Sequence, residues 1–308
     1  MKRVLLTGAS GFIGRHAISA LLARGYEVHA ASRTPLPADA THGAHQHAVD
    51  LMVDRDVATL VQRIQPSHLL HLAWYAVPGA FWTAPDNLDW VAASLRLLRQ
   101  FSAAGGHRAV FAGSCAEYDW THEVLCEAIT PLHPRTLYGK AKNALRTLVE
   151  AAAPDLGVSA AWGRIFLLYG PHEPPHRLMS DIAAALLRGE HAQCSHGRQE
   201  RDFLHVADVA AAMVALLDSD VAGPVNIASG VCRPVRDLVE QVAQLFGRPD
   251  LPRFGERPLA PDEPERLVAD VTILHKRVGF SPRFGFEDGL ADTVEWWKRQ
   301  QNAVAAHG

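Results

Sequence analysis

A glycine-rich turn close to the start of the chain constrains its fold more than any other feature. An apolar run ends at Thr7, glycines follow at three-residue intervals, and apolar residues recur with helical spacing from Phe12 onward. Glycine admits backbone dihedrals that a Cβ forbids, and a helix start presents unpaired N–H groups and the positive end of its dipole. The pattern predicts a strand, turn and helix that bind the diphosphate of a dinucleotide, with contacts from Gly8, Ser10, Gly11, Phe12, Ile13 and Gly14.

Length, charge and composition limit the classes of partner. The 308 residues include 48% hydrophobic residues, enough for a sizeable core, and a net charge of −3 argues against a nucleic-acid partner. The Met-Lys-Arg start leads into a short apolar strand and a glycine, which predicts neither a signal peptide nor a membrane span. We therefore expect a cytoplasmic protein without a membrane partner.

The cysteines and histidines predict neither a disulfide framework nor a metal site. The four cysteines are far apart and form no C-x-x-C pair. His42, His45 and His47 cluster in one predicted loop, but no acid or thiol beside them completes a ligand set. We expect no metal.

Alternating strand and helix signals through the first half predict an α/β protein with a Rossmann doubly wound parallel sheet. After residue 170 the segments become shorter and richer in proline and glycine, which predicts a smaller second lobe. We expect a dinucleotide-binding domain over residues 1–170 and a mainly substrate-binding lobe over 171–308, with segments such as Val225 to Ile227 returning to the main sheet. The predicted strands are Arg3 to Thr7, Glu27 to Ser32, Gln46 to Asp50, His68 to Ala73, Arg108 to Gly113 and Ser159 to Phe166. The predicted helices of the first half are Phe12 to Arg24, Asp54 to Ile64, Asp86 to Ala104 and Tyr138 to Ala153.

The end of the second predicted strand bears on the choice of cofactor. In NAD-specific Rossmann units an acidic residue there accepts a hydrogen bond from the ribose 2′-hydroxyl, whereas this chain has Ser32 and Arg33. A guanidinium pairs with a 2′-phosphate that a carboxylate would repel. We predict that NADP(H) is preferred, with NAD(H) as the alternative, and that Leu72, Ala73 and Trp74 line the middle of the cofactor.

Three downstream residues predict ketone chemistry at the same edge of the sheet. Tyr138 and Lys142 share a helix face, and Ser114 closes an apolar strand. Protonating a carbonyl oxygen requires a donor with a pKa near the working pH, and a neighbouring cation lowers the pKa of a tyrosine from ~10. We predict that Tyr138 donates the proton and that Ser114 hydrogen-bonds the same oxygen. Lys142 lowers the tyrosine pKa and holds the nicotinamide ribose, so Tyr138 and Lys142 also contact the cofactor.

These motifs, in this order, make the chain similar to the extended short-chain dehydrogenase/reductases that act on nucleotide sugars. The resemblance implies NAD(P) in the first lobe, a nucleotide sugar in the cleft and often a homodimer, here built from the helices around Leu95 to Phe101 and Leu145 to Val149. It places Asp50 and Leu51 beside the adenine. It also gives Arg201 a contact with the substrate diphosphate, and makes Arg177 and Arg266 candidates by alignment. The supporting segments are Thr7 to Gly14, His71 to Ala73, Gly113 to Ser114, Tyr138 to Lys142, Leu168 to Pro171, Arg201 to Val206, Asn226 to Gly230 and Val294 to Trp297.

Departures from the family pattern narrow the expected reaction. Dehydratases of the family carry Thr-Asp-Glu where this chain has Ser114, Cys115 and Ala116, so the acid and base for removing water are missing. Leu167 and Trp90 stand where asparagines are frequent and make the sugar pocket more apolar, although both also suit core packing. With an NADP-type strand end, these features predict NADPH-dependent reduction of a nucleotide-activated 4-keto-6-deoxy sugar.

Other functions remain open at the level of sequence. Cys115, His172 and His176 resemble the cysteine and histidine with which GDP-fucose-synthase-like enzymes epimerise beside the keto group before reducing it, although Cys115 lies one position early. A nucleotide-sugar epimerase, or a combined epimerase and reductase, is the main alternative. A non-catalytic NADP-sensing protein on the same fold is the third.

Overall fold

The computed structural model describes residues 2–37, 40–259 and 263–307. Its strands are β1 (Arg3–Thr7), β2 (Glu27–Ser32), β3 (His45–Ala48), β4 (His68–His71), β5 (Arg108–Ser114), β6 (Ser159–Ile165), β7 (Leu167–Tyr169), β8 (Ala192–Cys194), β9 (Glu200–His205), β10 (Gly223–Ile227), β11 (Cys232–Pro234), β12 (Pro252–Phe254) and β13 (Arg266–Leu267). Its α-helices are α1 (Phe12–Ala23), α2 (Asp54–Ile64), α3 (Asp86–Ala103), α4 (Leu137–Ala152), α5 (Leu178–Arg188), α6 (Val206–Asp218), α7 (Val235–Leu245), α8 (Thr272–Lys276) and α9 (Phe286–His307). Within these ranges no helix is both long and apolar enough to cross a membrane.

A seven-stranded parallel sheet forms the centre of the molecule and confirms the predicted α/β fold. Its strand order is β3-β2-β1-β4-β5-β6-β10. The order reverses between β1 and β4, and doubly wound sheets bind their ligands at the carboxyl ends of the strands beside such a point. The glycine turn follows β1 and therefore lies at this edge.

Alternation along the strands divides the core into two layers. Val4 and Leu6 of β1 pack with α1 and α6 on one face of the sheet. Leu5 packs on the other face with residues of α2, α3 and α4, including Phe101 and Leu145. Successive strand residues point to opposite faces, so a continuous apolar strand such as β1 supplies both layers.

Most predicted elements begin and end within two residues of the observed bounds, and the differences have local causes. β4 ends at His71 rather than Ala73 because the Leu72 N–H bonds the Thr7 carbonyl and the Ala73 N–H turns toward the Thr7 hydroxyl. His45 and His47 belong to β3 instead of a loop. Both rings stack on His29 of β2, at centroid distances of 4.9 and 5.2 Å.

The segments after Gly170 build smaller sheets beside the main one. β9 pairs with β7, β11 and β13, while β8 pairs with β12. Helices α5, α7 and α9 enclose a separate apolar cluster that includes Met179, Leu238 and Leu290. β10 joins β6 at the edge of the main sheet, so this late segment supports the cofactor half of the molecule.

Candidate active site

The glycine turn leaves space that a side chain would fill. Gly8 has φ +70°, and a Cβ on it would lie 2.7 Å from the Ala73 nitrogen. A Cβ on Gly14 would lie 2.1 Å from the Gly8 carbonyl oxygen. Helix α1 starts directly after Gly11 without a side-chain cap, so its first N–H groups are available to an anion. This arrangement fits the diphosphate of a dinucleotide.

The ends of β2 and β3 carry the residues predicted to hold the adenosine half of the cofactor. Arg33 is exposed, and no partner pairs with its guanidinium in the described ranges. The Ser32 hydroxyl is already used, because it donates to the Thr34 carbonyl at 2.7 Å. Asp50 accepts from the Met52 N–H, and Leu51 is buried beside it. The Arg33 guanidinium is thus available to a ligand, as far as the described residues show.

Ser114, Tyr138 and Lys142 come together at the carboxyl end of β5 and the first turns of α4. The Lys142 ammonium donates to the Ala112 carbonyl oxygen at 2.8 Å. It also lies 3.7 Å from the centre of the Trp74 ring and 5.9 Å from the centre of the Tyr138 ring. Trp74 follows β4, so the neighbouring strand supplies part of the same site.

Burial determines the protonation of the two titratable members of this trio. It raises the pKa of Tyr138 well above its ordinary value, while a hydrogen bond with the Ser114 side chain and the charge of Arg177 act in the opposite direction. Burial lowers the pKa of Lys142 to about 7. Tyr138 therefore carries a proton that it can donate, and Lys142 is close to losing its charge at neutral pH.

Glu117 fixes the position of Ser114 and was not among the predicted site residues. It is fully buried, accepts from the Ser114 backbone N–H at 2.8 Å and pairs with the Arg164 Nε at 2.8 Å. Trp162 donates to the same carboxylate at 2.9 Å. The sequence signal was the Ser-x-x-Glu spacing of a capping box. Because Glu117 is fully engaged in these contacts, it is not a free acid beside the reacting group.

An aromatic loop, residues 77–85, packs over Tyr138. The rings of Phe81 and Trp82 meet the Tyr138 ring edge-on at 4.9 and 5.7 Å. The Tyr138 N–H donates to the Trp82 carbonyl oxygen at 3.1 Å. No residue of this segment was among the predicted site residues, although its Phe-Trp pair between prolines is a signal of a packed loop. It gives the site an apolar wall.

Asn87, at the start of α3, holds the aromatic loop in place. Its side chain is completely buried and accepts from the Trp74 indole nitrogen at 2.8 Å. The same amide donates to the carbonyl oxygens of Phe81 and Ala84, both at 2.8 Å. One side chain therefore connects the loop to the tryptophan that covers Lys142.

Cys115 is placed as a packing residue. It is buried in an apolar cluster with Tyr118 and Phe166, and burial raises the pKa of its thiol to about 12. A thiol of this kind is a poor base at neutral pH. His172 and His176 both have positive φ, at 69° and 65°, and both are exposed side chains in the segment that follows Pro171.

The three predicted substrate arginines have different surroundings. Arg177, at the start of α5, acts on the pKa of Tyr138 and therefore lies near the trio. Arg201 is buried and pairs with Glu263 at 2.7 Å. Arg266 is half exposed and pairs with Glu200 at 3.5 Å, lining a cleft of about 390 Å³. To bind the substrate diphosphate, Arg201 and Arg266 would have to release their carboxylate partners, Glu263 and Glu200.

Comparisons with known proteins agree with this geometry. A sequence profile of the NAD dependent epimerase/dehydratase family matches residues 4–228. The chain is 33% identical to MoeE5, solved in complex with UDP-glucuronic acid and NAD, with a TM-score of 0.84 over 97% of this chain and 99% of the other. UDP-glucuronic acid decarboxylase 1 of Xenopus tropicalis is 27% identical over 97% of this chain and 73% of its own length.

A further structure shares the fold at lower sequence identity. The UDP-glucose 4-epimerase of Thermotoga maritima superposes with a TM-score of 0.87 at 22% identity, covering 97% of this chain and 99% of the other. The glycine corner at the switch point, the Ser-Tyr-Lys trio and the profile match lead to one conclusion: the chain belongs to the NAD dependent epimerase/dehydratase family of nucleotide-sugar-modifying enzymes.

Proposed function

We propose that the enzyme reduces the keto group of a nucleotide-activated 4-keto-6-deoxy sugar with NADPH. The observation that carries this proposal is the partly buried trio of Ser114, Tyr138 and Lys142 beside an apolar wall. Tyr138 is protonated, Ser114 lies beside it, and Glu117, the carboxylate nearest in sequence to Ser114, is bound by Arg164. The site thus offers a proton to a ketone oxygen, while the carboxylate beside Ser114 is held in an ion pair.

In this mechanism the bound cofactor supplies a hydride to the carbonyl carbon. Tyr138 gives its proton to the carbonyl oxygen as negative charge develops there. The Ser114 hydroxyl donates a hydrogen bond to the same oxygen. The Lys142 ammonium, held by the Ala112 carbonyl 5.9 Å from the centre of the Tyr138 ring, would offer its remaining protons to the cofactor ribose.

The apolar surroundings favour a deoxy sugar. Phe81, Trp82 and Trp74 present aromatic rings around Tyr138, and Leu167 replaces a polar residue frequent in the family. An aromatic face stacks well on the C–H bonds of a sugar and accommodates a methyl group, whereas a hydroxymethyl or carboxylate would lose hydrogen bonds to water there.

We propose that Arg177 is the cation nearest the substrate diphosphate, and that the segments after residue 170 other than β10 form the substrate lobe.

NADPH is proposed over NADH because Arg33 is exposed, and has no partner among the residues that the structure describes, where a 2′-phosphate is expected. Replacing Arg33→Asp should shift the ratio of kcat/KM for NADPH and NADH toward NADH by at least tenfold, since the carboxylate repels the phosphate. An unchanged ratio would remove the basis for the NADPH preference without touching the proposed reaction.

Epimerisation is the second candidate, supported by relatives named as UDP-sugar 4-epimerases. It would use the same trio, but the cofactor would be reduced and then reoxidised within one turnover. The combined epimerase and reductase has less support, because Cys115 is packed in an apolar cluster and its thiol has a raised pKa.

The test is to mix the enzyme and NADPH with a panel of nucleotide-activated 4-keto-6-deoxyhexoses and to follow loss of the reduced-nicotinamide absorbance. One equivalent of NADPH should be consumed per sugar, and Tyr138→Phe should abolish consumption while NADPH still binds. Inversion of UDP-glucose at C4 in the presence of the oxidised cofactor, with no net change in the cofactor, would favour the epimerase. Inactivity toward the keto sugars and toward UDP-glucose, with intact cofactor binding, would favour a sensor.

A further inference from the structure

Arg15 is a charged residue beside the glycine turn and was not among the predicted cofactor-binding residues. It lies in the first turns of α1, immediately after Gly14. Its Nη2 donates to the Ser10 carbonyl oxygen at 3.1 Å, so the guanidinium reaches back across the turn toward the helix N-terminus. Its Nη1 donates to the His172 Nδ1 at 2.7 Å.

The partners of this guanidinium leave its charge uncompensated. Both are neutral groups, a carbonyl oxygen and an imidazole nitrogen, and no carboxylate pairs with Arg15 in the described part of the chain. The Nε is buried and has no hydrogen-bond partner. Other arginines form ion pairs with carboxylates, such as Arg24 with Asp218 and Arg164 with Glu117. A partly buried cation without an anion is costly unless a ligand supplies the anion.

His172 keeps the guanidinium in this position. Its Nδ1 accepts a hydrogen bond from Arg15 and therefore carries no proton. Partial burial, together with the charges of Arg15 and His16, lowers the pKa of His172 to about 4. The ring packs against Trp296 of α9 at 4.6 Å. His16 fixes the same segment through the Pro171 carbonyl oxygen, at 3.1 Å. The second lobe thus holds Arg15 against the cofactor turn.

We propose that Arg15 is a further cofactor-binding residue, whose guanidinium pairs with the diphosphate held at the glycine turn. The turn itself contributes only backbone N–H groups and the helix dipole, and a guanidinium adds a full charge and a fork that matches phosphate oxygens. The same contact connects cofactor binding to the segment after Pro171, which leads to Arg177. The proposal requires a nicotinamide dinucleotide in this turn and is independent of the sugar.

The test is a fluorescence titration of the enzyme with NADH and with NADPH, in the absence of sugar. Arg15→Gln removes the charge and keeps a hydrogen-bonding side chain, and it should weaken both dinucleotides by the same factor, at least tenfold. Arg15→Lys keeps the charge and should weaken them less. ADP-ribose, which has the diphosphate and no nicotinamide, should lose affinity for Arg15→Gln by the same factor.

Arg24→Gln is the matched control, because it removes a cation just past the other end of the same helix, where Asp218 is its partner. It should leave all three affinities within twofold of the wild type, and thermal melts establish that each variant is folded. The proposal is overturned if Arg15→Gln binds both dinucleotides as the wild type does, or if it loses affinity for NADPH alone. Should Arg15→Gln fail to fold, folded Arg15→Lys is titrated at low and at high salt. A dinucleotide affinity that equals the wild-type value at low salt and does not fall as salt is added would contradict a charge contact.

Discussion

Lys142 gives the active site its expected pH dependence. Its pKa is lowered to about 7 by burial, so the ammonium that supports Tyr138 is lost as pH rises through that value. Tyr138 has a raised pKa and keeps its proton over the same range. We predict that kcat/KM for reduction decreases above about pH 7 and is constant below it. A Lys142→Met variant should be at least a hundredfold slower and should lack this break; a wild-type profile that is flat from pH 6 to pH 9 would contradict the assignment.

Glu173 gives a pH dependence of stability. Its carboxyl is 5% exposed and has an unpaired buried oxygen, and burial raises its pKa from 4.5 to about 8 against the opposing charge of Arg177. Between pH 4.5 and 8 the folded protein holds a proton on Glu173 that the unfolded chain releases. The free energy of unfolding therefore decreases as pH rises toward 8. Glu173→Gln should remove this dependence. Urea unfolding of both proteins at pH 5, 6, 7 and 8 measures the difference, and parallel curves would show that Glu173 is ionised in the fold.

Residues with local signals were predicted, and those with distant partners were not. The glycine turn and the Tyr-x-x-x-Lys spacing are complete within a few residues, so the sequence contains their geometry. The partner of Arg201 is Glu263, 62 residues along the chain, and Arg15 contacts His172, 157 residues away. Such pairs are decided by how distant segments pack, which periodicity does not report.

At the scale of elements, the aromatic loop is the least predictable part of the site and the one expected to select the sugar. We predict that Asn87→Ala raises the KM for the sugar about tenfold, because the loop over Tyr138 loses its anchor. The indole N–H and the two carbonyl groups that it leaves without partners should also cost about 1–3 kcal/mol each in the free energy of unfolding, where water does not replace the amide.

Steady-state kinetics and NADPH titration separate the effects of that substitution. The Kd for NADPH should change less than twofold. Asp89→Ala, an exposed change two residues along the same helix, serves as the control and should leave both constants unchanged. An equal loss of sugar and cofactor binding in Asn87→Ala would mean that the loop supports the whole site rather than the sugar pocket.

The helices and strands themselves were largely readable, because each has the apolar spacing of its own type. The bounds of β1, β2 and α2 agree with the sequence prediction, and β4 differs only where the Thr7 hydroxyl captures the next N–H. What periodicity did not give is the pairing of elements, such as the stack of His29 on His45 and His47. Those contacts depend on strand register.

At the scale of the whole molecule, the resemblance to the family implies a homodimer through α3 and α4. These helices pack side by side, and Leu148 of α4 is 47% exposed. We predict that light scattering gives twice the mass of one chain and that Leu148→Arg gives a monomer, because a charge in an apolar helix interface is desolvated without a partner. A wild-type monomer at micromolar concentration, or an unaffected dimer in the variant, would contradict this interface.

In the proposed reaction, hydride passes from NADPH to a sugar ketone and the cofactor leaves oxidised. The most direct test uses NADPH deuterated at the transferable position of the nicotinamide, with the 4-keto sugar that supports fastest NADPH consumption. We expect one deuterium on the former keto carbon and one NADP⁺ released per sugar, and neither with Tyr138→Phe. A product that contains no deuterium, formed with inversion at a carbon and without net oxidation of NADPH, would contradict it and identify the enzyme as an epimerase.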